Sequence, residues 1–464
     1  MAATGPQVQS GALKRYFAEH RVLEVYPTGL RRWWMLLLTV FATVVSFYEF
    51  GFSALLPLWL PSLHFTREEF GWFLTCVVFL SGFSAMAGGP IADRHGRVVV
   101  IDSCLAVIIL LTFANLLMTG FWSFVIVRGL MNLVAGLMWG ALGGLTRDMS
   151  PRVSRGAAFG LLTVGAVACQ WLWNQVPAWT LPIFHTWQSQ IVIMGVLGII
   201  LYIPVLLWLK DLSPKLRMMV MDSEAEGEAF ESGDLPQEEA PASVMAVFAQ
   251  LLGKWEVWVL VVGVVAFLTT AITIQTFGPL MFTEAYHYKP AEAAAMTANF
   301  WLLNLVMLVP AGLFSDYLRV RKPITIVLTV VALGVLLWWD RNFFPPLSPI
   351  SVGRVTLLLG AITAAAFIPW CALYSEYVED LSASLQATGW SFFQLIYRTW
   401  IAFSGPLLLA VAAHYGWERW IEVMAAGLAL FVVSLFMVRG YWKPATASAP
   451  ATGHAAPAHA AAGR

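Results

Sequence analysis

Three ionisable residues stand inside long apolar stretches of this chain: Glu49 in VVSFYEFGFS, Arg128 in VIVRGLMN and Arg398 in FQLIYRTW. An ion at mid-membrane depth costs roughly 2.5–3.5 kcal/mol on insertion scales, so it is retained where it faces a cavity or a partner. A guanidinium can grip a carboxylate through two parallel hydrogen bonds, and a glutamate can take up and release a proton. Together they suit reversible binding of an anion linked to proton movement. Each also stands among polar or small residues at helical spacing. Thr43, Ser46 and Ser53 accompany Glu49; Asn132, Gly136 and Gly140 follow Arg128; Ser391, Gln394, Ala402 and Gly405 share a face with Arg398, whose neighbour Tyr397 joins the set. Gln170 and Asn174 share a face with Thr163, and Gln275, Asn299 and Asn304 add amides further along. These residues form the candidate binding set, with Glu49 and Arg128 as the candidate proton-coupling pair. The plainer readings are a permanent Glu49–Arg128 pair, an Arg398 that snorkels to a carbonyl, and amides that only join helices. Trp139, Trp171 and Trp370 are candidates for stacking on a solute.

Other chemistry is disfavoured. The four cysteines, Cys76, Cys104, Cys169 and Cys371, are scattered through apolar runs, with no disulfide framework or metal-ligand spacing. Lys plus Arg and Asp plus Glu both number 27, which gives no basic surface for nucleic acid. No phosphate-binding loop and no nucleophile–base arrangement is visible. The expectation is a protein that is not an enzyme and needs no cofactor or metal. Charged residues make up 12% and apolar ones 59% of the 464 residues, and the mean hydropathy is +0.73. A soluble domain averages roughly 25% charged, so the solvent for most of this chain is lipid.

Helices must position these residues. A membrane-crossing helix needs about 20 apolar residues. Twelve runs qualify: Trp34–Leu60, Phe70–Ala92, Val98–Thr119, Trp122–Leu145, Ala157–Ala178, Gln188–Leu209, Val257–Phe282, Ala291–Phe314, Pro323–Trp339, Val355–Tyr374, Thr388–His414 and Trp420–Val438. Glu49 would then lie about 16 Å deep, Arg128 about 9 Å and Arg398 about 15 Å. With the N-terminus inside, the outer loops hold only Arg67, Lys289, Arg341, Arg354 and Arg419 of the basic residues. The positive-inside bias therefore places both termini in the cytoplasm. Asp102 and Asp340 fall near span ends and read as interfacial. Residues 1–33 form a cytoplasmic segment without a cleavable signal. Residues 34–209 and 256–440 each supply six spans. Residues 210–255 are an acidic cytoplasmic linker, and residues 441–464 an Ala/Pro-rich disordered tail.

The two halves repeat each other. GPIADRHGR follows the second span, with Gly89, Asp93, Arg94, Gly96 and Arg97; GLFSDYLRVRK follows the eighth, with Gly312, Asp316 and Arg319. Asp148 and Glu376 repeat at nearly the same separation. GPIADRHGR resembles the loop pattern Gly-x-x-x-Asp-Arg-x-Gly-Arg of the major facilitator superfamily. The resemblance implies an all-α membrane protein: twelve transmembrane helices in two parallel six-helix bundles around a central cavity. It further implies a cytoplasmic latch built on Asp93, with Arg94, Arg97, Arg155 and the repeat residues Asp316 and Arg319. Arg128 resembles the arginine that heads the superfamily's fourth-span glycine pattern.

The drug-exporter signature is missing from the fifth span. The sugar-porter pattern survives only as KDLSPK after the sixth. The chain is most similar to the proton-coupled symporters of small organic acids within the superfamily. The expected function is alternating-access symport of a carboxylate with protons, in a monomer of the inner membrane. In this reading a proton on Glu49 releases Arg128 for the solute. A neutral sugar, drug efflux and a transporter-like sensor are the alternatives.

Overall fold

The computed structural model describes residues 21–149, 155–213, 216, 252–318, 320–344, 347–381 and 386–439. It is helical apart from a two-residue parallel pair. Ten of its helices are long and apolar enough to cross a membrane among the described residues.

The first half begins with α1 (Gly29–Ser46), which tightens into a 3-10 turn over Phe47–Phe50. The chain then turns, and α2 (Leu56–Ser62) resumes. α3 (Arg67–Phe73) opens on a capping box in which Thr66 and Glu69 satisfy each other's backbone N–H groups. A π-helical turn over Leu74–Val78 joins it to α4 (Phe79–His95). The half is completed by α5 (Arg97–Ala114), α6 (Phe121–Asp148), α7 (Arg155–Phe184) and α8 (Trp187–Trp208). The second half comprises α9 (Trp255–Ala285), α10 (Pro290–Leu318), α11 (Lys322–Arg341), α12 (Pro349–Leu381), α13 (Gln386–Tyr415) and α14 (Trp417–Met437).

The expected first span, Trp34–Leu60, is therefore not one rod. A run of apolar residues reads as a single helix on hydropathy alone, but this one is interrupted by a turn that starts at Gly51, and Pro57 stands in the first turn of the helix that resumes. A Cβ on Gly51 would lie 2.2 Å from the Trp173 indole, so only glycine lets α7 approach there. The expected second and fifth spans correspond to the composite rod Arg67–His95 and to α7.

The repeat is visible in the packing. In the first half α4 crosses α6 where a Cβ on Gly88 would lie 2.0 Å from the Leu137 carbonyl oxygen. In the second half α10 crosses α12 where a Cβ on Gly360 would lie 2.0 Å from the Phe300 carbonyl oxygen. Close glycine crossings of this kind hold helices together in lipid, where burial adds no driving force. Backbone cannot yield as a side chain can. Gly88→Ala is expected to destabilise the protein by about 1–3 kcal/mol, read as a lower unfolding midpoint in detergent.

At one end of the first half, β1 (Val22–Leu23) pairs in parallel with β2 (Asp211–Leu212). Arg21 pairs with Asp102 and donates to the Leu206 carbonyl at 3.0 Å. Asp102 is buried and paired, because the segment before α1 folds back over it. Asp211 accepts from the Arg97 N–H at 2.8 Å, at the start of α5 where a carboxylate is favoured. Gly96 joins α4 to α5 with φ +91°, a conformation that glycine adopts without strain.

Candidate functional site

The 3-10 turn at Phe47–Phe50 sets Glu49 at the junction of the two halves. Its side chain is 0% exposed. Arg398, 2% exposed and carried by α13 of the other half, donates from Nη2 to Glu49 Oε1 at 2.9 Å. Its Nη1 donates to Ser81 Oγ on α4 at 2.7 Å. One guanidinium thus uses both prongs of its fork on the opposite half. Phe50 lies 5.7 Å beneath it, an aromatic face for the cation. Glu49 Oε2 has no protein partner.

Arg128 reaches the same junction differently. It is fully buried, and its Nη2 donates to the main-chain carbonyls of Glu49 and, at 3.3 Å, of Tyr48. Its charge sits over Phe52 at 5.0 Å and Trp59 at 5.8 Å. The Glu49 carboxylate therefore pairs with Arg398, and Arg128 takes the backbone instead. The break after Phe50 is the reason. A helix end leaves carbonyls without intrahelical donors, and lipid supplies none. Arg128 closes that gap. Arg128→Ala is expected to lower the stability of the empty protein by about 1–3 kcal/mol, the cost of unsatisfied buried polar groups. A thermal-unfolding scan without ligand checks this, since loss of a purely solute-binding arginine would leave that scan unchanged.

The amides divide into two groups. Asn174 accepts from Ser53 Oγ at 3.4 Å and donates to the Gln170 carbonyl at 2.8 Å, which places it against the broken segment. Gln170 is 2% exposed, and neither amide atom has a partner; Gln275 Nε2 and Asn132 Oδ1 are also buried without one. Asn132 donates back to the Arg128 carbonyl at 2.9 Å. Asn304 instead donates to the Gly360 carbonyl at 3.2 Å, and Asn299 faces Gly353. These two sit at the α10–α12 crossing and are not brought to the arginines. Gln394 and Tyr397 are half-buried on α13. Trp370 is fully buried, stacked on Tyr374 at 5.1 Å, so its face is already taken. Trp139 packs edge-on against Phe47, and Trp171 against Trp179.

The latch residues are only partly described. Arg97 pairs with Asp148 and donates to the Gly144 carbonyl at 2.7 Å. The side chains of Asp93, Arg94, Arg155 and Asp316, the surroundings of Gly89, and all of Arg319 lie outside the described residues. At the opposite end, Arg67 of α3 meets Glu284 of α9 at 2.7 Å, and Trp417 Nε1 donates to the same carboxylate at 3.1 Å. Phe70 and Phe277 pack edge-on at 5.9 Å beside them.

Ser81 was missed in the sequence because a serine in an apolar helix more often bonds its own backbone, as Ser81 also does through Val78, and carries no ligand signal. The π-helical turn was equally hidden, yet it sits at the inter-half contact. Thr75 Oγ1 on that turn donates to the Ala402 carbonyl at 3.0 Å, and Leu74 fills the notch at Gly405. Such turns often mark functional sites.

The described residues form a helical membrane bundle whose two halves meet at a buried carboxylate–guanidinium pair. The sequence pattern of the Major Facilitator Superfamily matches residues 36–406, and the chain belongs to that superfamily. It is 26% identical over 267 residues to "Probable anion transporter 3, chloroplastic" of Oryza sativa subsp. japonica, covering 54% of this chain and 49% of that one. It is likewise 26% identical over 262 residues to "Probable anion transporter 4, chloroplastic" of Arabidopsis thaliana, covering 54% and 48%. The chain thus spans about half the length of the curated relatives it matches. The crystal structure of a D-xylose–proton symporter superposes with a TM-score of 0.64 at 13% identity, covering 87% of this chain and 97% of the other. A bacterial homologue of the human lysosomal transporter Spinster, inward-facing and unoccupied, gives 0.61 at 15%, covering 88% and 95%. Both share the fold.

Proposed function

We propose that the protein moves a small organic carboxylate together with protons by alternating access, through twelve membrane crossings with both termini in the cytoplasm of the cell that carries it in its inner membrane. The observation that supports this reading is the buried Glu49–Arg398 pair, which joins the halves. With Glu49 ionised, its carboxylate occupies Arg398. With Glu49 protonated, Arg398 has no anionic partner and takes the solute carboxylate. Proton and solute then bind together because each removes an obstacle for the other. The solute inherits the inter-half contact, so its occupancy and the closure of the halves are coupled. Arg128 holds the broken first helix in register and sets the direction of Glu49; Gln170, Asn174 and Gln275 supply hydrogen bonds. Two ends must open in turn. The Arg67–Glu284 contact closes one, and the loop bearing Gly89, Asp93, Arg94, Gly96 and Arg97, with Arg155, Asp316 and Arg319, latches the other. The names of the two anion-transporter relatives agree with an anionic solute.

Net uptake of a radiolabelled carboxylate into proteoliposomes that hold no solute, with and without an imposed pH difference, decides the matter. Uptake that needs an inward pH gradient supports the reading, and uptake indifferent to pH overturns the coupling. A neutral hydroxylated solute is the second reading. It is favoured by the unpartnered amides of Gln170 and Gln275, which suit hydroxyl groups as well as carboxylates.

A further inference from the structure

The chemistry beside Arg398 carries information about the rest of the solute. Going towards the N-terminus of α13 from Arg398, the residues are Tyr397, Phe393 and Trp390, about 12 Å of helix. Phe393 stacks on Tyr397 at 5.8 Å with an interplanar angle of 19°. Trp390 meets Phe393 edge-on at 5.8 Å. From α12, Trp370 closes the back of this row, at 5.6 Å from Phe393 and 6.4 Å from Trp390. The ladder is fixed, because Trp370 stacks on Tyr374, whose hydroxyl donates to the Gly389 carbonyl at 2.7 Å.

Tyr397, at the end of the row beside Arg398, is only half-buried, whereas Phe393 and Trp370 are buried. Cys371, next to Trp370 on α12, is half-buried too. Phe50 on the other half lies under the Arg398 guanidinium. The Arg398 guanidinium thus has a ring of the first half beneath it and a half-buried ring of the second half at the neighbouring position. An aliphatic acid would leave that ring uncovered. An aryl acid would extend the row while its carboxylate reaches Arg398.

We infer that the solute is an aromatic carboxylate, with its ring laid along Tyr397 and its carboxylate on Arg398. This rests on the anion reading above. The test uses the full chain in nanodiscs, titrated calorimetrically with benzoate and indole-3-acetate against acetate and gluconate. The aryl acids are expected to bind roughly tenfold more tightly, the scale of one added aromatic contact. Tyr397→Ala should erase that preference, and Tyr397→Phe should keep it. The melting midpoint of each empty variant confirms that it folds. Equal affinity for aryl and aliphatic acids, or a preference that survives Tyr397→Ala, overturns the inference. Binding of aliphatic acids alone sinks it and leaves the anion reading standing. Binding of xylose with no carboxylate of either class removes both.

Discussion

Arg398→Ala is expected to abolish carboxylate binding and to destabilise the empty protein by about 3–5 kcal/mol. The second effect follows from what remains. Glu49 is 0% exposed and loses the guanidinium hydrogen-bonded to its carboxylate, and an incompletely compensated buried charge is far worse than a missing pair. Arg398→Lys should fold better and still bind weakly. An ammonium is a point charge and cannot serve Ser81 and Glu49, or Ser81 and a solute, with the fork geometry seen here. Folding and function are separable. The double substitution Glu49→Gln with Arg398→Met removes both charges, and burying no charge is often neutral or stabilising. It should recover most of the unfolding midpoint lost in Arg398→Ala while remaining unable to bind. Thermal unfolding and equilibrium binding on the same preparations check this. A double variant that binds normally removes Arg398 from the site.

Those expectations rest on a partner choice that hydropathy could not reveal. Glu49, Arg128 and Arg398 stood out in the sequence because a charge within an apolar run is physically expensive wherever the helices go. The positive-inside bias and the repeated loop motif likewise depend only on composition and spacing. Which guanidinium meets Glu49 depends instead on backbone geometry. Helical spacing through Ser46, Glu49 and Ser53 assumed a continuous rod. The 3-10 turn and the break before Leu56 rotate Glu49 away from that row. They also create the carbonyl gap that claims Arg128. A signal was present in Gly51, Pro57 and Pro61, since a Gly- and Pro-interrupted span in a transporter points to its site. The corresponding span of the second half carries Gly278 and Pro279 but stays helical through Ala285, so punctuation alone does not settle where a helix breaks. Asn299 and Asn304 depend on backbone geometry in another way. Their type suited a ligand role, but they face glycines at a helix crossing, and only the approach of two backbones shows that.

Glu49→Gln is expected to bind solute within a few-fold of the unaltered protein and to catalyse counterflow, yet to lose accumulation driven by a pH gradient. The glutamine amide mimics the protonated acid. Its oxygen can accept from Arg398, but without charge it does not compete with a solute carboxylate for the guanidinium. The other buried carboxylates among the described residues are poorly placed to carry the proton. Asp102 and Asp148 are committed to Arg21 and Arg97, and Asp211 caps the start of α5 beside them. Of these buried carboxylates Glu49 alone stands between the halves, where a change of charge alters a contact that must break and re-form in each cycle; Glu284, which meets Arg67 across the halves, is only half-buried and lies at one end. Proteoliposomes separate the two activities. Exchange of labelled for unlabelled solute requires only that the loaded protein turn over, whereas uphill uptake with the pH difference as the sole driving force requires a titrating group. If the glutamine variant still accumulates solute under those conditions, the proton is carried elsewhere, and the Glu49–Arg398 pair is a structural clasp between the halves and not the coupling device.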